Sequence, residues 1–466
     1  MACAAYRGTV IPERVQPVLD EVRPLADRFA AAGFRIYLVG GTVRDLLLGR
    51  ELRGDFDLTT DARPDDIERI VTGWADAVWT TGKRFGTIGA KHAGREYEIT
   101  THRAEAYSPD SRKPDVQFSD RIEADLSRRD FTVNAMALSL PDPELIDPYG
   151  GAVDLATKRL RTPLSPDESF TDDPLRMLRA ARFLAGYDLE PEPDLIDAVK
   201  RLHERLEIVS AERIRDELDK LLVVDEPGRG LWFLVDTGLA AQFLPELPGL
   251  ALEQDPIHRH KDVLAHTIAV VEKTSPDKIL RLAALLHDVG KPKTRSFASG
   301  GRVTFHHHEV VGARMARDRM NALRYSHDDV EAVTKLVELH LRFHTYKMGW
   351  TDSAVRRYVR DAGPLLDELN ELTRCDCTTR NERKAAELAR RMDALVARIA
   401  ELRAEEELDR VRPDLDGNQI MQHLGLKPGR EVGEALTMLL EIRLEEGPLG
   451  EKEARRRLDA WYATRS

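Results

Sequence analysis

The amino-acid sequence predicts an α/β domain followed by a long helical region. Residues from about 20 to 148 alternate short apolar runs with segments of helical periodicity, which is the pattern of an α/β unit. From Asp173 onward the pattern is almost wholly helical. A stretch rich in proline and leucine, 245–256, marks a boundary within the helical region. A chain of 466 residues is expected to form several domains.

The first apolar run ends in two glycines, and two carboxylates follow it at alternate positions. The run is 36–39, the glycines are Gly40 and Gly41, and the carboxylates are Asp55 and Asp57. Residues two apart on an extended chain share a face, so both carboxylates point to one spot and suit Mg²⁺ better than zinc. The glycines allow a tight turn whose N–H groups can bind a phosphate. The sequence therefore predicts a site for a metal-bound nucleoside triphosphate.

The next elements follow from local patterns. Residues 65–71 are predicted to form a helix and 97–101 a strand, while the polar, proline-containing segment 108–117 is predicted to be a mobile loop. Further along, 382–409 is rich in Ala, Glu and Arg and predicts one long helix. Residues 414–417 are expected to open a last short helical region.

A helix predicted after Pro174 carries arginines at every third residue: Arg176, Arg179 and Arg182. Two interpretations are open. The arginines form a solvated helix face and Asp173 is only an N-cap, or Asp173 and Arg176 together hydrogen-bond the edge of a base. The position of this helix after a predicted triphosphate site favours the second interpretation.

The ordered motifs resemble the class II CCA tRNA nucleotidyltransferase and poly(A) polymerase family, strongly over about 20–250. The resemblance implies a polymerase-β-like α/β catalytic head with a mixed sheet and helices, then an all-α neck, body and tail. The corresponding divisions of the chain are 20–148 for the head, 149–250 for the neck, 251–385 for the body and 386–466 for the tail.

The same resemblance implies roles for individual residues. Asp55 and Asp57 are expected to hold two catalytic Mg²⁺ ions, with Glu98 as a further acidic residue of that site. Asp173 and Arg176 are expected to select C or A by its Watson–Crick edge. The full set expected to bind nucleotide is Gly40, Gly41, Arg44, Arg129, Asp130, Asn134, Asp173, Arg176, Arg179 and Arg182.

A second group of histidines and aspartates lies within 257–385. The adjacent pair His287 and Asp288 ends an apolar segment and resembles the HD superfamily of metal-dependent phosphohydrolases. That resemblance implies one divalent metal, with Mg²⁺, Mn²⁺, Ni²⁺ and Fe all suited to mixed imidazole and carboxylate ligands. The implied ligands are His266, His287, Asp288 and Asp376, with His308 and His340 as additional candidates. Either this region hydrolyses phosphoesters at RNA ends or cyclic phosphates, or it is a helical body without such activity.

Composition restricts the partners and the compartment. The formal net charge of −11 argues against broad, non-specific binding to nucleic acid, and no DNA partner is expected. No apolar run approaches the ~20 residues that cross a bilayer, and the N-terminus lacks an apolar segment typical of a signal peptide. Cys3, Cys375 and Cys377 cannot build a disulfide framework, so a cytoplasmic protein is expected.

The resemblance implies addition of C, C and A to the 3′ end of tRNA from CTP and ATP, with release of pyrophosphate. Residues 82–88 resemble the CCA-adding pattern more than that of bacterial poly(A) polymerases. Poly(A) addition and addition of a single kind of base, A only or C only, are the alternatives within the family. An alternative of another class is an HD phosphohydrolase whose N-terminal part is a non-catalytic RNA clamp.

Overall fold

The computed structural model describes residues 13–465, except 51, 53, 109–110, 253–261, 298–302, 346–349, 378–381, 407 and 409–410. Cys3 and the end of the predicted boundary, 253–256, lie outside the described residues. The chain divides into two compact units, Met1–Phe243 and Leu244–Ser466. The first unit contains a mixed sheet with helices and the second is mainly helical, so the predicted fold class is confirmed.

Seven strands of the first unit form one sheet in the order β3-β4-β5-β2-β1-β8-β9. Only β2 and β5 run parallel, and the other neighbouring pairs are antiparallel. Two further pairs, β6–β7 and β10–β11, lie outside this sheet. In chain order the strands are β1 Ile36–Val39, β2 Phe56–Thr60, β3 Ala77–Trp79, β4 Thr87–His92, β5 Arg95–Thr101, β6 Arg103–Ser108, β7 Ser111–Phe118, β8 Ala137–Leu140, β9 Leu145–Ile146, β10 Arg159–Leu160 and β11 Glu190–Pro191.

The early helices of the first unit pack against the sheet, and the later helices follow the last strand of that sheet in the chain. On the first helix, buried Leu19, Val22, Leu25 and Phe29 recur at helical spacing and join the core of the sheet. The predicted helix over 65–71 is confirmed. The helices are α1 Gln16–Ala31, α2 Gly41–Leu48, α3 Pro64–Val71, α4 Ile122–Ser127, α5 Gly151–Ala156, α6 Pro166–Asp172, α7 Leu175–Gly186, α8 Pro193–Leu202, α9 Ala211–Leu222, α10 Gly228–Asp236 and α11 Leu239–Phe243.

The described part of the segment 108–117 is not the loop that the sequence predicts. Ser108 ends β6, and residues 111–117 form most of β7, which pairs antiparallel with β6. Polar residues and Pro114 suggested a loop, but both strands of a two-stranded hairpin are edges. An edge strand tolerates proline because one side of its backbone has no ladder partner. Pairing with the preceding segment therefore overrides the local composition.

The described residues of the second unit form helices and one pair of short antiparallel strands, β12 Arg295–Phe297 with β13 Val303–Phe305. The predicted long helix ends at Glu405 rather than 409, and Asp416 caps the next helix through a reciprocal bond with Gln419. None of the described helices combines the length and apolarity needed to cross a membrane. The helices are α12 Val263–Lys273, α13 Lys278–Leu286, α14 Lys291–Thr294, α15 His308–Ala322, α16 His327–Leu339, α17 Arg342–Thr345, α18 Asp352–Ala362, α19 Leu366–Asp376, α20 Glu382–Glu405, α21 Gly417–Leu424, α22 Arg430–Glu446 and α23 Glu451–Ala463.

Candidate active site and candidate metal centre

Acidic side chains of the first unit meet at the middle of the sheet. Asp55 immediately precedes β2, Asp57 is the second residue of β2, and both are exposed. Asp57 pairs in register with Glu98 on the parallel strand β5. Partial burial raises the pKa of Asp57, Arg129 opposes this shift, and Asp55 adds to it. Burial and the charge of Asp57 raise the pKa of Glu98. A cation placed here would relieve both effects.

The turn after β1 brings an arginine beside these carboxylates. Gly40 has φ +66°, and a Cβ atom there would lie 2.6 Å from Nη1 of Arg129 and 3.9 Å from Oδ2 of Asp57. Glycine is required at this position for both reasons, because another residue would be strained and would displace the guanidinium. Helix α2 begins at Gly41, so its first N–H groups open next to Arg129. Backbone donors and a guanidinium thus share one side of the carboxylates.

Arg44, expected to contact a triphosphate, is buried among protein partners. Its Nη1 donates to Oδ1 of Asn134 at 2.6 Å, and its Nε and Nη2 donate to the two carboxylate oxygens of Asp45 at 2.9 Å each. The guanidinium also lies over the ring of Tyr187, 4.2 Å from the ring centroid. A contact of Arg44 with triphosphate remains a prediction, and it would have to be made beside these partners or in exchange for them.

Arg129 is oriented by a buried carboxylate that the sequence analysis did not single out. Asp125 accepts hydrogen bonds from Nη2 of Arg129 at 3.1 Å and from Nη2 of Arg128 at 3.4 Å. Burial by itself would raise the pKa of Asp125, but Arg129 and Arg128 outweigh it and the pKa is lowered. The sequence signal that could have identified Asp125 is its spacing. It precedes Arg128 by three residues and Arg129 by four, near the end of α4, and residues at these spacings are neighbours on a helix.

A buried ionic network links the segment after α4 to two later helices. Asp130 accepts from Nδ2 of Asn134 at 2.9 Å and from Nε of Arg179 at 2.7 Å. Glu217 on α9 accepts from Nε of Arg182 at 2.8 Å and lies 3.5 Å from Nη1 of Arg179. Burial opposes ionisation of both carboxylates, but the arginines outweigh it and lower the pKa of Asp130 and of Glu217. Both carboxylates therefore stay charged at neutral pH.

Asp173 lies at the start of α7, held from two sides. Its Oδ1 accepts the main-chain N–H two residues on at 3.2 Å, and its Oδ2 accepts from Nη2 of Arg213 at 3.0 Å. Arg176 is buried and donates from Nη1 to Oγ of Ser169 at 2.9 Å. Asp173 therefore acts as a helix cap and also has an oriented second oxygen, while Arg176 braces α7 against α6.

The alternative that these arginines form a solvated helix face is wrong. The side chains of Arg179 and Arg182 are only 29% and 17% exposed, and Arg176 is buried. All three donate hydrogen bonds to protein acceptors. Helical spacing placed them on one face correctly, but the partners of that face come from segments far away in the sequence.

In the second unit, four imidazoles and two carboxylates converge. Asp288 and Asp376 contact Nε2 of His266 at 3.5 and 3.0 Å. Nε2 of His287 lies 3.2 Å from Asp288, and Nε2 of His308 lies 3.4 Å from its other oxygen. Two groups of ligand atoms, each within 4.8 Å of one another, result: His266, His287 and Asp376, and Asp288, His308 and His340.

Three of these histidines are fixed in the same way by the backbone. Nδ1 of His287, His308 and His340 each bonds the carbonyl three residues earlier, at 2.7, 2.8 and 2.6 Å. Because the carbonyl requires a proton on Nδ1, each Nε2 faces the centre. Nε2 offers a lone pair in a neutral ring, and at His287 a metal ion would take the place of the Nε2 proton. Nε2 of His308 and of His340 is buried without a hydrogen-bond partner among the described residues. An orphaned buried nitrogen fits a metal ligand.

Charges at this centre favour a cation. Burial would lower the pKa of His287, but Asp288 and Asp376 outweigh burial and raise it to about 10. Burial and the charge of His287 lower the pKa of His340 to about 4, which keeps that ring neutral. Lys291 contacts Asp288 at 2.6 Å. The two carboxylates thus hold positive charge at the position where a divalent ion would bind. The neighbouring Cys375 and Cys377 are free thiols.

Three family descriptions match successive parts of the chain. The Poly A polymerase head domain matches 36–161, and the probable RNA and SrmB-binding site of polymerase A matches 188–250. The HD domain matches 263–400. These matches define the class of the protein as a nucleotidyltransferase of the poly(A) polymerase type that carries an HD domain.

Relatives narrow the class to a family. The chain is 33% identical over 444 residues to the A-adding tRNA nucleotidyltransferase of Deinococcus radiodurans, covering 91% of this chain and 95% of that enzyme. The chain therefore belongs to the tRNA nucleotidyltransferase family. It is also 40% identical over 231 residues to the CCA-adding enzyme of Streptococcus suis, which is 49% of this chain and 56% of that enzyme. The similarity thus spans little more than half of that CCA-adding relative.

Solved structures share the fold. The CCA-adding enzyme of Bacillus stearothermophilus in complex with CTP superposes with a TM-score of 0.67 at 24% identity, covering 97% of this chain and 99% of that chain. The Thermotoga maritima CCA-adding enzyme complexed with tRNA gives 0.60 at 21% identity, covering 97% of each chain.

Proposed function

We propose that this chain adds C, C and A to the 3′ end of tRNA from CTP and ATP. The observation that carries the proposal is the meeting of Asp55, Asp57 and Glu98 beside the turn at Gly40, where Arg129 lies. Oxygen ligands, helix N–H groups and a guanidinium are the groups that a metal-bound triphosphate requires. The similarity to enzymes named for CCA addition and A addition to tRNA supports the choice of substrate.

In the proposed reaction the RNA 3′-hydroxyl oxygen bonds to the α-phosphorus. The bond from that phosphorus to the β-phosphate oxygen breaks, pyrophosphate leaves with the electron pair, and the hydroxyl proton passes to solvent. Two Mg²⁺ ions held by Asp55 and Asp57 would supply charge neutralisation and a lower hydroxyl pKa. Arg129, held by Asp125, binds the triphosphate together with the backbone at Gly41. Glu98 completes the acidic surface.

We assign the choice of base to the start of α7. One carboxylate oxygen of Asp173 accepts a hydrogen bond from the backbone of α7, and the other accepts one from Arg213. If Arg213 moves slightly, the second oxygen stays oriented and can accept a hydrogen bond from a base amino group. Arg176 is the matching donor in this proposal. Arg179 and Arg182 hold α7 in place through Asp130 and Glu217, and Asn134 connects this network to Arg44.

Addition of A alone is a second candidate, favoured by one observation. One relative matched over nearly its whole length is an A-adding tRNA nucleotidyltransferase, whereas the similarity to the CCA-adding enzyme of Streptococcus suis covers only 56% of that enzyme. Poly(A) addition remains the third candidate. All three share the head site, so only the products separate them.

The test uses three tRNA substrates that lack CCA, CA or A, each with labelled CTP or ATP. CCA addition requires that the first and second take up C and the third takes up a single A. Uptake of A by the third substrate alone would show an A-adding enzyme. A long ladder of A would show poly(A) addition, and no uptake by any substrate would refute the proposal and favour an HD phosphohydrolase with a non-catalytic head.

We propose that the HD centre binds divalent metal and hydrolyses phosphoesters, such as 2′,3′-cyclic phosphates at RNA ends. The convergence of His266, His287 and Asp376 gives one position, and Asp288, His308 and His340 give a second candidate position. A bound divalent ion would supply a lowered pKa for water and charge neutralisation of the phosphate. Lys291, beside Asp288, is placed to neutralise charge on the substrate. A helical body without activity is the alternative.

The HD proposal is tested by assaying hydrolysis of a 2′,3′-cyclic nucleotide with Mg²⁺, Mn²⁺ or Ni²⁺ and by counting bound metal after dialysis. Hydrolysis that a chelator abolishes supports the proposal. Metal bound at the centre without hydrolysis supports the inactive body.

We further propose that the chain divides into a head at 20–148, a neck at 149–250, a body at 251–385 and a tail at 386–466. We also propose that the protein acts in the cytoplasm, where its tRNA substrate is matured.

A further inference from the structure

Two exposed aromatic side chains share a cavity with the catalytic carboxylates. Trp79 and Phe85 are 39% and 44% exposed, whereas most large apolar side chains of the first unit are buried. Both line a cavity of about 410 Å³ together with Asp55 and Glu98. An exposed indole and phenyl ring beside reacting groups offer two flat apolar surfaces to a ligand.

The sheet register places the indole in line with the carboxylates. Asp57 is paired with Glu98, Glu98 with Gly89, and Gly89 with Trp79, so the four residues form one row across β2, β5, β4 and β3. Residues paired in register share a face of the sheet. A Cβ on Gly89 would lie 1.9 Å from Nε1 of Trp79. The missing side chain of Gly89 therefore lets the indole lie across β4 toward Glu98.

The strand order separates two sides of the active site. On one side of β2 lies β1, which leads to Gly40, the start of α2 and Arg129. On the other side lie β5, β4 and β3 with the aromatic cavity. In phosphoryl transfer the attacking oxygen and the leaving oxygen are roughly in line on opposite sides of the phosphorus. If the triphosphate occupies the Arg129 side, the RNA 3′-hydroxyl arrives from the aromatic side.

We propose that Trp79 and Phe85 form a stacking platform for the terminal base of the RNA acceptor. The proposal rests on the proposed function and adds the site of the second substrate. The residues that line the cavity in the described structure include Asp55, Glu96 and Glu98 and no basic side chain. Because no basic side chain in this lining offers a partner to a phosphate and two aromatic rings do face the cavity, the part of RNA that enters is the base. Stacking on an aromatic ring accepts every base, which suits an acceptor whose end changes during addition.

The turn at the edge of the cavity carries an exposed cation that suits the phosphate of an RNA backbone. Arg84 is exposed and its guanidinium lies over the Phe85 ring, 4.5 Å from the centroid. A cation at the rim and acidic groups inside would hold the preceding phosphate outside while the base enters. Lys83 in the same turn is paired with Asp65 and Glu68, which fixes the turn that presents Phe85.

The kinetic test compares Trp79→Ala, Phe85→Ala and Trp79→Phe with the wild type. Alanine at a stacking position should raise the KM for tRNA about tenfold to a hundredfold, while the KM for CTP and ATP changes less than about threefold. Trp79→Phe should retain most of the tRNA affinity because it keeps a ring. Gly89→Ala should resemble Trp79→Ala, since its Cβ displaces the indole. Phe297→Ala, which removes an aromatic side chain that is 68% exposed in the other unit, is the matched control and should change neither KM.

A binding measurement keeps this inference separate from catalysis. Base stacking on Trp79 should quench its fluorescence, observed as the difference between wild type and Trp79→Phe during titration with tRNA lacking CCA. The same tRNA with its terminal nucleotide made abasic should give no such difference. A raised KM for nucleotides with unchanged KM for tRNA, or equal quenching by the abasic tRNA, would overturn the inference. Quenching without nucleotide addition would instead refute the proposed function and leave the stacking site standing.

Discussion

The candidate active site of the first unit and the histidine centre of the second differ in how completely the protein supplies ligands. Asp55 and Asp57 are exposed, and all candidate donors there are carboxylate oxygens. At the histidine centre four of the six donors are buried, His266 and Asp376 are partly exposed, and the backbone fixes three of the four imidazoles. A metal ion that also binds a triphosphate needs coordination positions that the protein leaves free. A metal ion that stays in the protein is best held by a preorganised set of protein ligands.

The same difference appears in how each site handles charge. In the first unit, burial and the charge of Asp55 raise the pKa of Asp57, and Arg129 and Arg44 oppose this shift without outweighing it. At the histidine centre the carboxylates outweigh burial and raise the pKa of His287 to about 10. The first site leaves negative charge for an arriving cation, whereas at the second the carboxylates stabilise a protonated His287 whose proton a metal ion would replace.

Removing a carboxylate from the first site should give the largest effect. Asp57→Asn or Asp55→Asn should lower the rate of nucleotide addition by about 10²–10³ or more, because each removes the charge of a proposed metal ligand. The melting temperature should not fall, since the lost charges are exposed and repel one another. Rates are measured with CTP and tRNA lacking CCA, and Asp27→Asn, an exposed carboxylate on α1, is the control. A rate above about a hundredth of wild type would contradict the two-metal assignment.

Disrupting the histidine centre should separate the two sites functionally. His287→Ala should eliminate hydrolysis of a 2′,3′-cyclic nucleotide and weaken retention of Ni²⁺ or Mn²⁺ at least about 10–100-fold. Nucleotide addition to tRNA should persist if the variant is folded by circular dichroism. His307→Gln is the matched control, because that imidazole is adjacent in sequence to His308 but its side chain is 83% exposed. Parallel loss of both activities would show that the sites depend on each other.

Replacing Asp173 should change the selection of the base more than it changes the stability of the fold. Asp173→Ala should raise misincorporation of GTP or UTP relative to CTP and ATP about tenfold, since a site built for hydrogen bonds rejects bases that leave its groups unpaired. Arg213→Ala should give a smaller change in the same direction, because it frees the second oxygen of Asp173. Single-nucleotide incorporation measures the effect. Unchanged selectivity would leave Asp173 with only its capping role.

Loss of the buried network should affect stability moderately. Asp130→Asn removes the nearer carboxylate of Arg179, which keeps only its longer contact with Glu217, and should lower the free energy of unfolding by about 1–3 kcal/mol, discounted because Arg179 is partly exposed. Urea unfolding followed by circular dichroism measures the change. Arg201→Gln, which removes an exposed ion pair with Asp167, is the control and should leave the unfolding midpoint nearly unchanged because solvent screens that pair.

The smallest expected effect is a pH dependence. The lowered pKa of Glu217 in the folded chain means that its ion pair contributes stability above the ordinary carboxyl pKa of about 4. That contribution is lost as the pH falls from there through the lowered pKa. The difference in unfolding free energy between wild type and Glu217→Gln should therefore be constant from pH 7 to about 5 and shrink below about 4. A difference that grows on acidification would contradict the assigned sign.

Local patterns in the sequence determined the order of the motifs and the classes of element. Alternate carboxylates at Asp55 and Asp57 indicated a shared face, and the glycines before α2 indicated a tight turn. The apolar segment ending in His287 and Asp288 indicated a metal centre. These features depend on residues that are neighbours in the chain, so periodicity and turn chemistry suffice to find them.

Only the tertiary structure decided which partners these residues have. The arginines of α7 were correctly placed on one face, but their acceptors Asp130 and Glu217 lie 49 and 38 residues from Arg179. Residues 111–117 became a strand because β6 pairs with them, and the row from Asp57 to Trp79 exists because β2, β5, β4 and β3 are adjacent. Burial and cross-strand register join residues distant in sequence, and no local pattern carries that information.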